Sequence, residues 1–282
     1  MKLIEVVGYD SRWPEMFDAE KEIISAALGD NCVAIHHVGS TAVPGLAAKP
    51  KIDIVAVAEN REKAIFDLEK AGYSHRGEWN IPLKCGFTKR GATDVNLHLF
   101  FDENHPEIEL NLKFRDYLRA NPAVRDEYAA VKIKILEDES AHQKADGSLF
   151  PIYTVRKRKF IDDIIRATGF DRLRVLKCAT DNEWDAAEKF RKKYADPIVK
   201  NSDDHEHFVL YRGVEIIGYA DIHIFSKTEA ELSIFETSDE ESRKFFTDVI
   251  EKLMNVRGYG YLEASGVSGS SEAFGGSIPL RG

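Results

Sequence analysis

The run HVGSTAVPGLAAKPKIDIVAV, residues 37–57, constrains this chain more than any other stretch. Residues 32–38 and 52–57 are apolar runs of strand length. They bracket a loop rich in glycine, proline and small residues. The second run is apolar except for Asp53. A carboxylate inside such a strand is expensive unless it is paired or holds a metal. The first run ends on Gly39 and Ser40. Glycine lets a backbone approach a phosphate closely, and successive backbone N–H groups with a serine hydroxyl hold phosphate oxygens. Mg²⁺ prefers carboxylates together with substrate phosphates. The pattern therefore fits in-line attack on a nucleoside triphosphate, with Gly39 and Ser40 on the phosphates and Asp53 on the ion. The alternative is a tight turn with one polar residue capped by backbone amides.

Around this run the first half reads as strands followed by helices. A helix starts near Pro14, with Phe17, Ile24 and Leu28 on one face and Gly29 as its stop. Glu20 lies on that stripe, either at its edge or turned toward a polar site. Asn60 caps a second helix that ends at Gly72. Strands follow at 86–89 and 95–101, then helices at 106–120, 122–137 and 153–168. That order predicts an α+β domain with a mixed sheet over residues 1–169.

After Gly169 the pattern restarts. Residues 174–180 read as a strand, 182–195 as a helix, 208–211 and 214–224 as a hairpin, and 230–235 as a strand. A helix over 239–256 and a strand over 259–264 complete a second, smaller α/β domain, residues 172–265. The remainder, 266–282, is small and polar and is expected to be disordered.

Charge removes some functions. From Arg172 onward there are 15 basic and 20 acidic residues, so neither half has the basic excess of a duplex-binding module. No apolar run reaches membrane-spanning length. Cys32, Cys85 and Cys178 are odd in number and widely spaced, which fits reduced thiols in a cytoplasmic protein. The expected partner is a small-molecule nucleotide, and the oligomeric state is left open.

The first half resembles the GrpB family. Besides the Gly-Ser run, the resemblance rests on Trp13-Pro14 with Phe17 and Glu20, and on Leu97-His98. The block Phe114 to Arg119, Tyr128 with Lys132, and Tyr153-Thr154 with Lys157 carry the rest. That family is similar to the polymerase-β-like nucleotidyltransferase superfamily. The resemblance implies a nucleotidyl-transferring domain with a Gly-Ser loop beside metal-binding acids. It places Gly39 and Ser40 on the loop and Asp53 on the first metal carboxylate. Val55 stands where the second is expected, which puts two-metal transfer in doubt. One Mg²⁺ through Asp53, helped by Glu20 or His98, remains the expectation, and His98 can equally be a packed histidine. Arg115 is expected either on a phosphate or paired with its neighbours. Lys157 is the member of the run 156–159 that matches the family.

In the second half, EIIGYADIHI at 215–224 and the element order resemble GNAT-type N-acetyltransferases. The resemblance implies acetyl-CoA on backbone amides opening a helix, in the stretch 236–244. That stretch has Arg243 but no glycine, and it carries Glu236, Asp239, Glu240 and Glu241, which repel a pyrophosphate. A degenerate acetyltransferase is the expectation, with Tyr219 or Glu236 posed as acid or base by residue type alone. The competing readings for the whole chain are thus a nucleotidyltransferase, a non-catalytic nucleotide or metabolite binder, and an acetyltransferase.

Overall fold

A computed structural model describes residues 3–144, 150–192, 198, 204–259 and 262–264. The chain divides into two compact units. Unit 1 is Met1–Trp79, Lys84–Ala145 and Phe150–Phe170; Asn80–Leu83 and the chain from Asp171 belong to unit 2.

Unit 1 opens with α1 (Trp13–Leu28), β1 (Cys32–Val38), β2 (Ile52–Ala58) and α2 (Arg61–Lys70). The strands β3 (Ser74–His75), β4 (Cys85–Lys89) and β5 (Val95–Phe100) follow. The helices α3 (Pro106–Ala120), α4 (Pro122–Leu136), α5 (Ile152–Arg156) and α6 (Arg158–Ala167) close the unit. The sheet order is β1-β2-β5-β4-β3. β2 pairs antiparallel with β1 and parallel with β5, so the sheet is mixed, as the order of elements predicts. Side chains alternate across it. Ile52, Ile54 and Ala56 of β2 join Val95, Leu97 and Leu99 of β5 in a core with Ile24 and Leu28 of α1 and Leu68 of α2. By that parity Asp53, Asn96 and His98 face the other way. There a second apolar cluster, Val43, Leu46, Leu118, Tyr128 and Ile164, fastens the helices.

Two details differ from the sequence reading. The short strand β3 was not expected. The single helix expected over 153–168 is broken: Lys157 is both the C-cap of α5 and the N-cap of α6. The break sets the Lys157 ammonium over the Tyr153 ring, 4.6 Å from its centroid.

Unit 2 contains β6 (Leu173–Lys177), α7 (Asp181–Arg191), β7 (His205–Arg212), β8 (Glu215–Ile224), β9 (Ala230–Thr237), α8 (Glu240–Arg257) and β10 (Leu262–Ala264). The sheet order is β10-β9-β8-β7-β6, antiparallel throughout except for the parallel pair β9–β10. Phe208, Leu210, Ala220 and Ile222 pack on Phe246, Ile250 and Leu253 of α8. On the other face Val209, Tyr211 and Tyr219 pack with Ala187 of α7. The expected last turn of α7 and the tail 266–282 lie outside the described residues. The three cysteines are free thiols. Among the described residues no helix is long and apolar enough to cross a membrane.

Candidate functional site

The site is built where β1 ends and β2 begins. Val38 pairs with Asp53 across the two strands, which brings the turn at Gly39 over the Asp53 side chain. Gly39 has φ +72°, and a Cβ built on it would lie 2.7 Å from Asp53 Oδ2. Both the backbone angle and the close approach therefore demand glycine. Ser40 opens a 3-10 turn, Ser40–Ala42. Asp53 Oδ1 accepts a hydrogen bond from Asn96 Nδ2 at 2.8 Å, from the paired position on β5. Burial raises the Asp53 carboxyl above its ordinary range, although the Asn96 amide and the charges of Lys51, Lys157 and Lys49 all oppose that shift.

Lysines surround this carboxylate. Lys132 Nζ of α4 donates to Ser40 Oγ at 3.2 Å and to the Ala47 carbonyl, and lies 4.6 Å from the Tyr128 ring centroid. Lys49 and Lys157 approach the Tyr153 ring at 4.3 and 4.6 Å. Burial pulls Lys132 down to about 7, with the neighbouring Lys157 charge adding to it. Lys49 is pulled down to about 8 by burial and by the charges of Lys157 and Lys51. Lys157 falls to about 8 through burial, with Asp53 pulling the other way. Lys49, Lys51 and Lys157 thus act on one carboxylate, Lys132 holds the Ser40 side of the turn, and the Tyr128 and Tyr153 rings face Lys132, Lys49 and Lys157.

The other expected residues do not all converge here. Glu20 leaves the site: it sits on the α1 face of the sheet, opposite to Asp53. There it accepts from Tyr73 OH at 2.5 Å and from Lys89 Nζ at 2.9 Å. Strand parity puts Lys89 beside Val95 on that face, so Glu20 cannot share an ion with Asp53. His98 is on the correct face, paired with Val55, but its Nδ1 lies 3.2 Å from Lys84 Nζ. Burial and the Lys84 charge push His98 well below its ordinary value. With a buried lysine against its Nδ1, His98 takes the packed, hydrogen-bonded role of its two expected ones. Arg115 donates to the His37 carbonyl at 3.0 Å and pairs with Asp116 at 2.7 Å. It lines a separate open cleft of about 320 Å³ with Tyr9, Phe17, His36, His37 and Arg119. Of its two expected roles, Arg115 shows the paired one. Val55 is fully buried.

In unit 2, Glu236 is engaged by Arg191 at 3.0 Å, with both side chains buried. Tyr219 OH is bonded to His207 Nδ1 at 2.8 Å. Neither presents a free acid or base.

The sequence reading missed Lys49 and Lys51 and gave Lys132 no role. The signal was present in LAAKPK, where two lysines lead into β2 two and four residues before Asp53. A family model described as "GrpB protein" matches residues 3–167. A UPF0157 protein of Halalkalibacterium halodurans is 40% identical over 160 residues, covering 55% of this chain and 82% of that protein. A UPF0157 protein of Bacillus subtilis is 39% identical over 132 residues, covering 46% of this chain and 38% of that one. The crystal structure of a conserved GrpB protein from Enterococcus faecalis aligns at a TM-score of 0.50 with 32% identity. It covers 58% of this chain and 96% of that one.

Proposed function

Because the chain belongs to the GrpB family, we propose that unit 1 binds a nucleoside triphosphate at the Gly39–Ser40 turn and transfers its nucleotidyl group to an acceptor. The observation that carries this reading is the charge around Asp53: one carboxylate against the Gly39 turn, acted on by Lys49, Lys51 and Lys157. Lysine ammoniums and a serine hydroxyl are suited to phosphate oxygens. The Tyr128 and Tyr153 rings hold Lys132, Lys49 and Lys157 in place. Preorganised cations facing a transferring phosphoryl group stabilise charge as it develops.

Asp53 is the residue that would hold Mg²⁺, and the donor set fits one ion that arrives with the nucleotide. Mg²⁺ binds through one or two carboxylates plus phosphates and water. The lysines oppose a bare cation and welcome one already neutralised by phosphate. When bound, the ion would supply Lewis-acid polarisation of a phosphate oxygen. The Asn96 amide orients the Asp53 carboxylate for that contact.

A second reading has its own observation. Buried Val55 occupies the position of a second carboxylate, which favours nucleotide binding without turnover. Acetyl transfer by unit 2 is weaker. Its support is the strand order, while Asp239 caps the N-terminus of α8 and Glu240 and Glu241 occupy its first turn. Those acids repel the pyrophosphate of acetyl-CoA. A thermal shift of the full chain with acetyl-CoA tests it, and a flat result removes it.

Titration calorimetry with ATP, GTP, CTP and UTP, each with and without Mg²⁺, tests the main proposal. The expected result is saturable heat with at least one nucleotide, strengthened by Mg²⁺ and lost in Asp53→Ala and Lys157→Ala. Heat from none of the four, or binding indifferent to both substitutions, ends the proposal. Binding without transfer of an α-phosphate label to any acceptor pool selects the sensor reading.

A further inference from the structure

The β7–β8 hairpin sets His205 opposite His223, and His207 opposite Asp221. The His205 and His223 rings stack with centroids 4.4 Å apart and planes 5° from parallel. Asp204, just before β7, brings its Oδ2 to 3.2 Å from His223 Nε2. One donor atom each from Asp204, His205 and His223 lies within 4.8 Å of the others. From this arrangement we infer that unit 2 carries a site for a divalent cation of the zinc class, with Asp204, His205 and His223 as its ligands.

The argument rests on the partner of His205 as well as on the three donors. Asp221 is buried, and its carboxylate accepts from His205 Nδ1 at 2.9 Å. A proton on Nδ1 leaves the lone pair on Nε2. A carboxylate that fixes the tautomer and orientation of an imidazole in this way is the common outer partner of a metal-binding histidine. At His223 the ring Nε2 faces the Asp204 carboxylate. A cation placed there is bound by both the His223 Nε2 and the Asp204 carboxylate. The three side chains are 54%, 21% and 28% exposed in the order Asp204, His205, His223, so an ion reaches them from water.

The structural alternative is a row of hydrogen bonds along one face of the hairpin. It accounts for Tyr219, His207 and Asp221, which lie deep and bond to one another. It gives no reason for two parallel imidazoles with a carboxylate at their open end. Two imidazoles and one carboxylate suit Zn²⁺, which binds nitrogen at about 2.0–2.1 Å and keeps a fourth position for water when only three protein ligands are present. They do not suit Mg²⁺, which takes oxygen ligands.

The test uses the untagged full chain, stripped by a chelator and titrated with Co²⁺ as a spectroscopic probe and then with Zn²⁺ in competition. The expected result is one Co²⁺ per chain, visible d–d bands without a thiolate charge-transfer band, and displacement by Zn²⁺. Asp204→Asn and His223→Gln change partly exposed side chains and should keep the fold, which circular dichroism checks. Each should weaken Co²⁺ binding at least tenfold. Asp221→Asn should weaken it by about 10–100-fold, the range for an outer-shell partner. His36→Gln in unit 1 should leave it unchanged. No saturable uptake, a thiolate band, or binding that survives both Asp204→Asn and His223→Gln overturns the inference.

Discussion

Two acidic side chains in unit 1, Glu20 and Asp53, sit on opposite faces of one sheet and are treated in opposite ways. Glu20 is closed off: Tyr73 and Lys89 satisfy both carboxylate oxygens, one cation for one anion. Asp53 is treated differently: one amide bonds one oxygen, and the charges of Lys49, Lys51 and Lys157 act on it. Both are acids on otherwise apolar elements, so burial alone does not separate a structural carboxylate from a functional one. The charge balance does. A closed pair stabilises the fold, whereas the proposed nucleotide would add negative charge beside the lysines around Asp53.

That contrast is broken most easily by removing Glu20. Glu20→Ala strands the Lys89 ammonium and Tyr73 hydroxyl and should cost about 3 kcal/mol, at the lower end for a broken buried pair because Lys89 is partly solvated. Urea denaturation measures it, and nucleotide affinity should be unchanged in the surviving folded fraction. If Asp53→Asn costs as much, the two carboxylates are of one kind and the comparison fails; the expectation is no loss of stability, because burial already disfavours the charged form.

Gly39→Ala comes next. The positive φ and the contact with Asp53 should cost about 2 kcal/mol, within the range for a strained backbone position, and displace the carboxylate, so nucleotide binding falls with stability. A third expectation concerns pH. Lys132, Lys49 and Lys157 sit at about 7, 8 and 8 in the fold and near 10.5 when unfolded. Between about pH 8 and 10.5 the unfolded chain holds more protons, so stability should rise with pH across that window, and Lys132→Met should flatten the slope. Triphosphate affinity should move the other way, falling from pH 7 to 9 as the lysines lose charge. Calorimetry at pH 8 in buffers of different ionisation enthalpy should show proton uptake on binding. The smallest effect is assigned to Arg115→Ala. Its partners are the exposed Asp116 and a carbonyl, so the loss should stay within about 1 kcal/mol, with nucleotide affinity unaltered.

Much of this was legible in the residues. The strands at 32–38 and 52–57, the Gly39 turn and the oddity of Asp53 follow from local rules of period, turn chemistry and the cost of buried charge. The position of Glu20 does not. A helical stripe shows that Glu20 points inward, but not which face of the sheet the helix covers; that is settled by Ile52 and Ile54, which pack under α1 and so turn Asp53 away. The lysine cluster was also hidden. Its members come from the loop before β2, from α4 and from the break between α5 and α6, and only the fold brings them together. The break at Lys157 left no proline or glycine to announce it. The histidines at 205 and 223 were passed over for a similar reason, since they become neighbours only through the hairpin register.

The pairing of β2 with β5 has a consequence in time as well as in space. Asp53 and its amide partner Asn96 are 43 positions apart, and the parallel register joining them must close over α2 and the β3–β4 hairpin. Contacts of long sequence separation form slowly, after the chain entropy of the intervening loop has been lost. The neighbouring β4–β5 hairpin is local and can zip early. A partly folded chain therefore has its hairpin but no oriented carboxylate, and ligand binding during refolding would report the last strand docking rather than the first collapse.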